Sequence, residues 1–306
     1  MNNQLKLSVS PHIHSGRSTR SIMLDVLIAL LPATVAGALI FGLRSLLVVA
    51  VTVAACVGFE ALFCLVAKKT IPVGDLSAAV TGLLLALNLP ANIPLWQCVV
   101  GALFAMVVVK GLFGGLGANP VNPAITARVF MLVAFASLTK AAFPVDAVSS
   151  ATPLSSEEAT SLMDLFLGNH GGAIGETCAL ALLLGGVYLL VRRVITWHIP
   201  VAFIGTVFLM SFLLEGMSAT AALAAILSGG LLIGAIFMAT DYVTSPPTPW
   251  GRIIFGFGAG LITILIRYFG NYPEGVSFAI LFMNILTPYI TIWTRRRIFG
   301  MGGHKA

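Results

Sequence analysis

Apolar residues fill this chain in long, nearly unbroken runs separated by short polar connections. Continuous runs of this length predict membrane-spanning helices, since a hydrocarbon core about 30 Å thick takes about 20 apolar residues per helix. Ten helices are predicted, at 22–41, 45–66, 76–89, 94–113, 122–139, 174–191, 198–214, 218–239, 252–269 and 276–294. The third is short and runs into Leu87-Asn88-Leu89-Pro90. The eighth breaks at Ala239-Thr240-Asp241 before a proline-rich turn. One long hydrophilic connection, 140–173, lies between the fifth and sixth helices. A loop that long in so economical a chain points to function or disorder.

Composition sharpens the class. Of the 306 residues, 58% are hydrophobic and 9% are charged, with a mean hydropathy of +1.01. Soluble domains carry about 25% charged residues, so a water-soluble globule is excluded. The formal charge of +6 does not point to nucleic acid, because the basic residues are scattered along the ends of apolar runs. Residues 1–21 are polar, with Lys6, Arg17 and Arg20 but no short apolar core and cleavage site, so the first helix is expected to remain in the mature protein. Cys56, Cys64, Cys98 and Cys178 all lie within apolar runs and read as small buried hydrophobes rather than iron–sulfur ligands.

Charge placement then orients the chain. With a cytoplasmic N-terminus, the inner side holds Lys6, Arg17, Arg20, Lys68, Lys69, Lys110, Arg192, Arg193, Arg252, Arg295, Arg296, Arg297 and Lys305. The outer side holds only Arg44, Lys140 and Arg267. That bias predicts both termini in the cytoplasm and loop 140–173 outside.

The two halves share an order of features. Thr81-Gly82-Leu83-Leu84-Leu85 leads into a broken helix end, a proline turn and a long apolar helix, and Ser228-Gly229-Gly230-Leu231-Leu232 does the same. Gly117-Ala118-Asn119-Pro120 likewise corresponds in place to Gly270-Asn271-Tyr272-Pro273. The predicted fold is therefore an all-α integral membrane protein of about ten transmembrane helices in two inverted five-helix repeats with broken helices, chance likeness among Gly-rich segments being the competing explanation. Its parts are a cytoplasmic segment (1–21), a first repeat (22–139), an extracytoplasmic loop (140–173), a second repeat (174–295) and a cytoplasmic tail (296–306). Such repeats place binding sites at their interface near the midplane.

Five polar segments are candidate chemistry. The first is Asp146-Ala147-Val148-Ser149-Ser150-Ala151-Thr152-Pro153 in the outer loop, either an ordinary turn or a match to the signal Asp-x-x-Ser-(Gly/Ser)-Ala-Thr, at which a flavin transferase esterifies the threonine with FMN. The second runs from Gly114 through Asn119-Pro120-Val121-Asn122-Pro123 to Arg128. Its two Asn-Pro pairs disfavour helix just before each proline, and their amides suit the edge of a heterocycle. Arg128 inside a span is either functional or half of a structural ion pair. The third, Gly171-Gly172-Ala173-Ile174-Gly175-Glu176-Thr177, puts Glu176 where it serves a helix N-terminus or a ligand. The fourth, Ala239-Thr240-Asp241-Tyr242-Val243-Thr244-Ser245-Pro246, is an inner-facing broken helix end, and Asn88-Leu89-Pro90 is its outer-facing counterpart. Asp25 and Glu60, inside apolar helices, reach the interface, pair, or belong to an ion or proton route.

Taken in order, Ser149-Ser150-Ala151-Thr152, the Asn-Pro segment at 115–124, Gly171–Thr177 and Met238–Pro246 resemble one family across nearly the whole chain. It is the RnfD component of the Rnf electron-transport complex, with the NqrB component of the sodium-pumping NADH:quinone reductase as its relative. The short N-terminal tail favours the Rnf member. Ser150 departs from the glycine many members carry. The resemblance implies a flavin-carrying membrane subunit of an ion-translocating ferredoxin:NAD oxidoreductase in a prokaryotic cytoplasmic membrane. Covalent FMN is then expected on Thr152, with Ser149 and Ala151 completing its signal. A second, non-covalent flavin, riboflavin for preference, is expected among Asn88, Asn119, Asn122, Arg128, Glu176, Thr177, Asp241 and Thr244. The inner set Asn119, Asn122, Asp241 and Thr244 is favoured.

Implied partners are the other membrane and peripheral subunits, one of them also FMN-bearing, the flavin transferase and the lipid bilayer. NAD and ferredoxin are expected to bind elsewhere in the complex, and neither a catalytic side chain nor a metal site is expected here. The rival classes are a non-redox inverted-repeat transporter or channel, which has no use for the Ser-x-Ala-Thr loop, and a scaffold, which has none for Arg128.

Overall fold

A computed structural model describes residues 17–69, 72–135, 161–270 and 275–295. Among them the chain is helical: α1 (Thr19–Phe41), α2 (Leu43–Val66), α3 (Ser77–Leu87), α4 (Leu95–Gly111), α5 (Pro123–Ala134), α6 (Leu162–Leu167), α7 (Ala179–Val191), α8 (His198–Leu214), α9 (Ala219–Leu227), α10 (Leu231–Met238), α11 (Pro249–Phe269) and α12 (Val276–Thr294). Helices α1, α2, α11 and α12 are long and apolar enough to cross a membrane, and α9 with α10 forms a fifth such run bent by 67°. Helices α3, α4, α5, α7 and α8 are shorter and apolar.

Local chemistry starts and stops these helices. Ser18, Asn122, Ser161, Ser218 and Thr248 cap N-termini through their side chains, satisfying donors that a helix start leaves open. Pro123 and Pro249 follow two of these caps at the first helical position, where a missing N–H costs nothing. Several features differ from expectation. The predicted sixth span begins at Ala179 rather than 174, because residues 174–178 turn back on α3, with the Gly175 N–H donating to the Leu87 carbonyl at 2.8 Å. The predicted eighth span is broken at Ser228-Gly229-Gly230, and the Arg267 guanidinium donates to the carbonyls of Ala225 (2.6 Å) and Ser228 (3.2 Å) freed there. Beyond Leu103, α4 widens into a π-helix over Phe104–Gly111, a form frequent at functional sites.

Each half runs in the same order: an apolar helix (α2, α8), a short or broken one (α3, α9–α10), an irregular turn, and then two more helices. Helix α2 packs on α3 and α4, α8 on α9 and α11, and α11 on α12; α1 pairs with α7, and α5 bridges α3 and α12. Lipid gives apolar helices no hydrophobic reason to associate, so close backbone approach must do so. Gly256 and Gly260 supply it on α11: a Cβ on Gly256 would lie 2.8 Å from the Ile199 carbonyl of α8, and one on Gly260 would lie 2.7 Å from Thr206 Cβ. Outward-facing Leu39, Leu43 and Trp293 remain more than three-quarters exposed, as a lipid-facing surface requires. This is the architecture of a multi-pass membrane protein.

Candidate functional site

The ends of the short helices converge on a buried polar centre. Asn88, one residue past α3, donates to the Leu84 carbonyl at 2.7 Å, and its Oδ1 accepts from Arg128 on α5. Arg128 Nη2 lies 3.8 Å from Glu176 Oε2, with both side chains at most 4% exposed. Glu176 Oε1 accepts from the Ala173 N–H at 2.8 Å, closing the loop that precedes α7. Gly230 completes the packing, since a Cβ there would lie 3.1 Å from Glu176 Oε2 and 3.2 Å from Arg128 Nη1. Of the alternatives for Arg128, the geometry is that of an ion pair. Glu176 caps no helix; it binds its own loop and faces Arg128. Thr177 is fully buried beside it.

A cavity lies on the other side of Met238. Asn88 Nδ2 is 3.6 Å from the Met238 sulfur, while Asn122 Nδ2 donates to the Met238 carbonyl at 3.3 Å. Asn88, expected on the outer face, is thus 2% exposed and back to back with the Asn122 segment. The cavity has about 860 Å³ of empty space, counting its open mouth, and its lining includes the polar side chains of Ser77, Lys110, Asn119, Asn122 and Asp241. Its walls are apolar, Val80, Leu84 and Phe237 among them. Three of the four inner-set residues therefore meet at one cavity. Thr244, the fourth, stands behind it: its hydroxyl donates to Asp241 Oδ2 at 3.0 Å, and its carbonyl accepts from Thr287 at 2.8 Å.

The polar lining residues differ in what they have to spare. Asn122 Oδ1 accepts from the N–H groups of Ala124 (3.0 Å) and Ile125 (3.3 Å), so its amide is committed to capping α5. Asn119 uses its Nδ2 on the Val121 carbonyl at 3.1 Å. Burial raises the Asp241 carboxyl above its ordinary range, opposed by hydrogen bonds from the Thr244 hydroxyl and the N–H groups of Val243 and Tyr242. Arg128 does not line the cavity, so it makes no direct contact with anything bound there.

Two participants escaped the sequence reading. Lys110, counted among the inner-side charges near the end of the predicted fourth helix, sits in the π-helical end of α4, 4% exposed. It donates to Glu60 Oε1 and to Ser77 Oγ, each at 2.6 Å. Asn284 on α12, with its amide oriented to satisfy both neighbours, donates to the Thr244 carbonyl (3.3 Å) and accepts from the Asn122 N–H (3.2 Å). Its signal was a lone amide in an apolar helix. Asp25 pairs with the half-exposed Arg192 at 3.1 Å and accepts from the Tyr188 hydroxyl at 3.0 Å, which makes it an interfacial ion pair. Ser149, Ala151 and Thr152 lie outside the described residues, as does Asn271.

Comparison with known proteins agrees with this architecture. Residues 6–300 match the model of the NQR2, RnfD, RnfE family. Over 98% of the chain it is 47% identical to the D component of the Na(+)-translocating ferredoxin:NAD(+) oxidoreductase complex of Acetobacterium woodii, covering 97% of that protein. It is 40% identical to the D component of the proton-translocating ferredoxin:NAD(+) oxidoreductase complex of Clostridium ljungdahlii, over 97% of each chain. The D component of the ion-translocating oxidoreductase complex of Salmonella arizonae is 35% identical, over 96% of this chain and 98% of that one. With the match running almost from end to end, the chain belongs to the NQR2, RnfD, RnfE family.

Proposed function

We propose that this chain is the flavin-bearing RnfD component of an ion-translocating ferredoxin:NAD oxidoreductase, with FMN joined through a phosphoester to Thr152 and a second, non-covalent flavin in the cavity beside Met238. The observation that carries the reading is the conjunction, in one chain of this family, of a Ser-x-Ala-Thr loop and a cavity lined by both polar and apolar side chains. The names of its relatives support the same complex. The parallel order of α2–α5 and α8–α12 supports two inverted repeats. The bias of basic residues supports cytoplasmic termini, with Thr152 outside.

The residues present fit a flavin. A flavin supplies one- and two-electron chemistry when bound; the protein positions it and tunes its potential. Val80, Leu84 and Phe237 suit the apolar end of a tricyclic ring, and Asn119, Asp241 and Lys110 suit its hydrogen-bonding edge. The Lys110–Glu60 pair is net neutral and Asp241 is acidic, so a phosphate dianion would be desolvated there without a counter-charge. Riboflavin is therefore the better occupant. On Thr152 a covalent bond retains FMN in a loop, where no deep pocket is needed to hold it.

The test is a single substitution. Thr152→Val keeps the size of the side chain and removes the hydroxyl that the phosphate must esterify. Wild-type chain co-expressed with its flavin transferase should fluoresce as a flavoprotein in a denaturing gel, and the variant should be dark. Fluorescence that persisted in the variant would refute the attachment site.

A further inference from the structure

A second cavity, with about 840 Å³ of empty space counting its mouth, opens beside the first and is lined by Glu60, Phe63, Met106, Lys110 and Gly114. Lys110 belongs to the walls of both. Through Lys110 passes an unbroken line of hydrogen bonds. Lys110 Nζ donates to Glu60 Oε1 at 2.6 Å and to Ser77 Oγ at 2.6 Å, and Ser77 Oγ donates to Asp75 Oδ1 at 2.6 Å. Asp75 is half-buried, in the short turn Val73–Asp75 that precedes α3, so the line begins near the surface. At its other end Glu60 Oε2 is buried with no hydrogen-bond partner among the described residues.

We propose that Asp75, Ser77 and Lys110 form a proton-transfer chain into the first cavity, with Glu60 holding Lys110 charged at its inner end. The proposal rests on the reading that an electron-accepting ring occupies that cavity. Every member can pass a proton: an ammonium has three donors, of which Glu60 and Ser77 take two, and a hydroxyl both donates and accepts. With an electron-accepting ring held in that cavity, Lys110 would be the last donor of the chain, giving up one proton for each electron supplied by a one-electron donor and being left as the amine. Asp75, whose oxygen accepts from Ser77, then takes a proton from solvent and passes it to the Ser77 oxygen as Ser77 passes its own to Lys110, which restores the ammonium. Each electron gained by the ring is matched by one proton from solvent. The charged groups facing the ammonium are Glu60 on α2, Asp75 on the turn, Asp241 across the first cavity and Lys69 across the second.

The test uses the full-length chain in the Thr152→Val background, so that only non-covalent flavin absorbs. Flavin bleaching by dithionite is followed in H2O and D2O, and flavin released by acid is counted. Wild-type bleaching should slow in D2O. Ser77→Ala and Asp75→Asn should slow it further, by about tenfold or more, at unchanged flavin content. Ser77→Thr should restore it. Asp75→Asn lies outside the cavity and covers the case in which Ser77→Ala disturbs assembly. Unchanged rates in a flavin-loaded Asp75→Asn protein would overturn the chain of transfer alone. If the unsubstituted cavity releases no flavin, the occupant is refuted and the proposal falls with it.

Discussion

Arg128 shows what one residue does in this fold. Its guanidinium ties α5 to the end of α3 through Asn88 and to the loop before α7 through Glu176. Removing one partner of a buried ion pair leaves an uncompensated charge and costs about 3–5 kcal/mol. Arg128→Met should therefore lower the melting temperature in detergent sharply. The double variant with Glu176→Gln should recover much of that loss. Recovery by the single variant Arg128→Lys would contradict the account, because a point charge cannot reproduce a planar fork reaching two partners. The sequence made Arg128 and Glu176 visible, as ionisable groups in apolar runs. It did not make their partnership visible, because 48 positions separate them and only the fold brings them together. Lys110 was counted as an inner-side charge for a related reason: near the end of an apolar run, a lysine facing the interface and a buried one look alike until Glu60 on α2 is placed beside it.

At the scale of elements, apolar runs give away most helices but not their interruptions. The span 198–214 is observed unchanged as α8, and 276–294 as α12, because both runs are continuous and end at polar residues. The break at Ser228-Gly229-Gly230 lies within an apolar run, and the partner that satisfies it, Arg267, is on another helix. Helix contact depends on which glycine faces what. On α11 a Cβ at Gly256 would meet the Ile199 carbonyl, which is backbone and cannot move aside, whereas at Gly258 it would meet the flexible end of Met283. Gly256→Ala should therefore cost about 1–3 kcal/mol, in the range of overpacked cores, and Gly258→Ala clearly less. Thermal melting of the two variants in detergent decides this, and equal losses would mean that α8 and α11 are not held by close backbone approach.

For the whole molecule, orientation is the claim on which any relay of electrons across a membrane depends. Taking Lys110 out of the inner-side count leaves a strong bias, since Lys68, Lys69, Arg192, Arg193 and the basic C-terminal cluster remain. Two counted outer residues have work of their own, Arg267 at the break in α9–α10 and Arg44 at the carbonyls of Ala91 (3.0 Å) and Ile93 (3.4 Å). A cysteine introduced at Ser156 should react with a membrane-impermeant thiol reagent in intact cells, and one at Gly303 should not. The opposite pattern would place Thr152 on the cytoplasmic side.

The central claim is that this chain carries flavin covalently, and intact mass tests it most directly. The chain isolated from its assembled complex should be heavier than its sequence mass by one FMN less one water, and the Thr152→Val chain should show the unmodified mass of its own sequence. An unmodified mass for the wild-type chain, taken from a complex that contains its other subunits, would contradict the account.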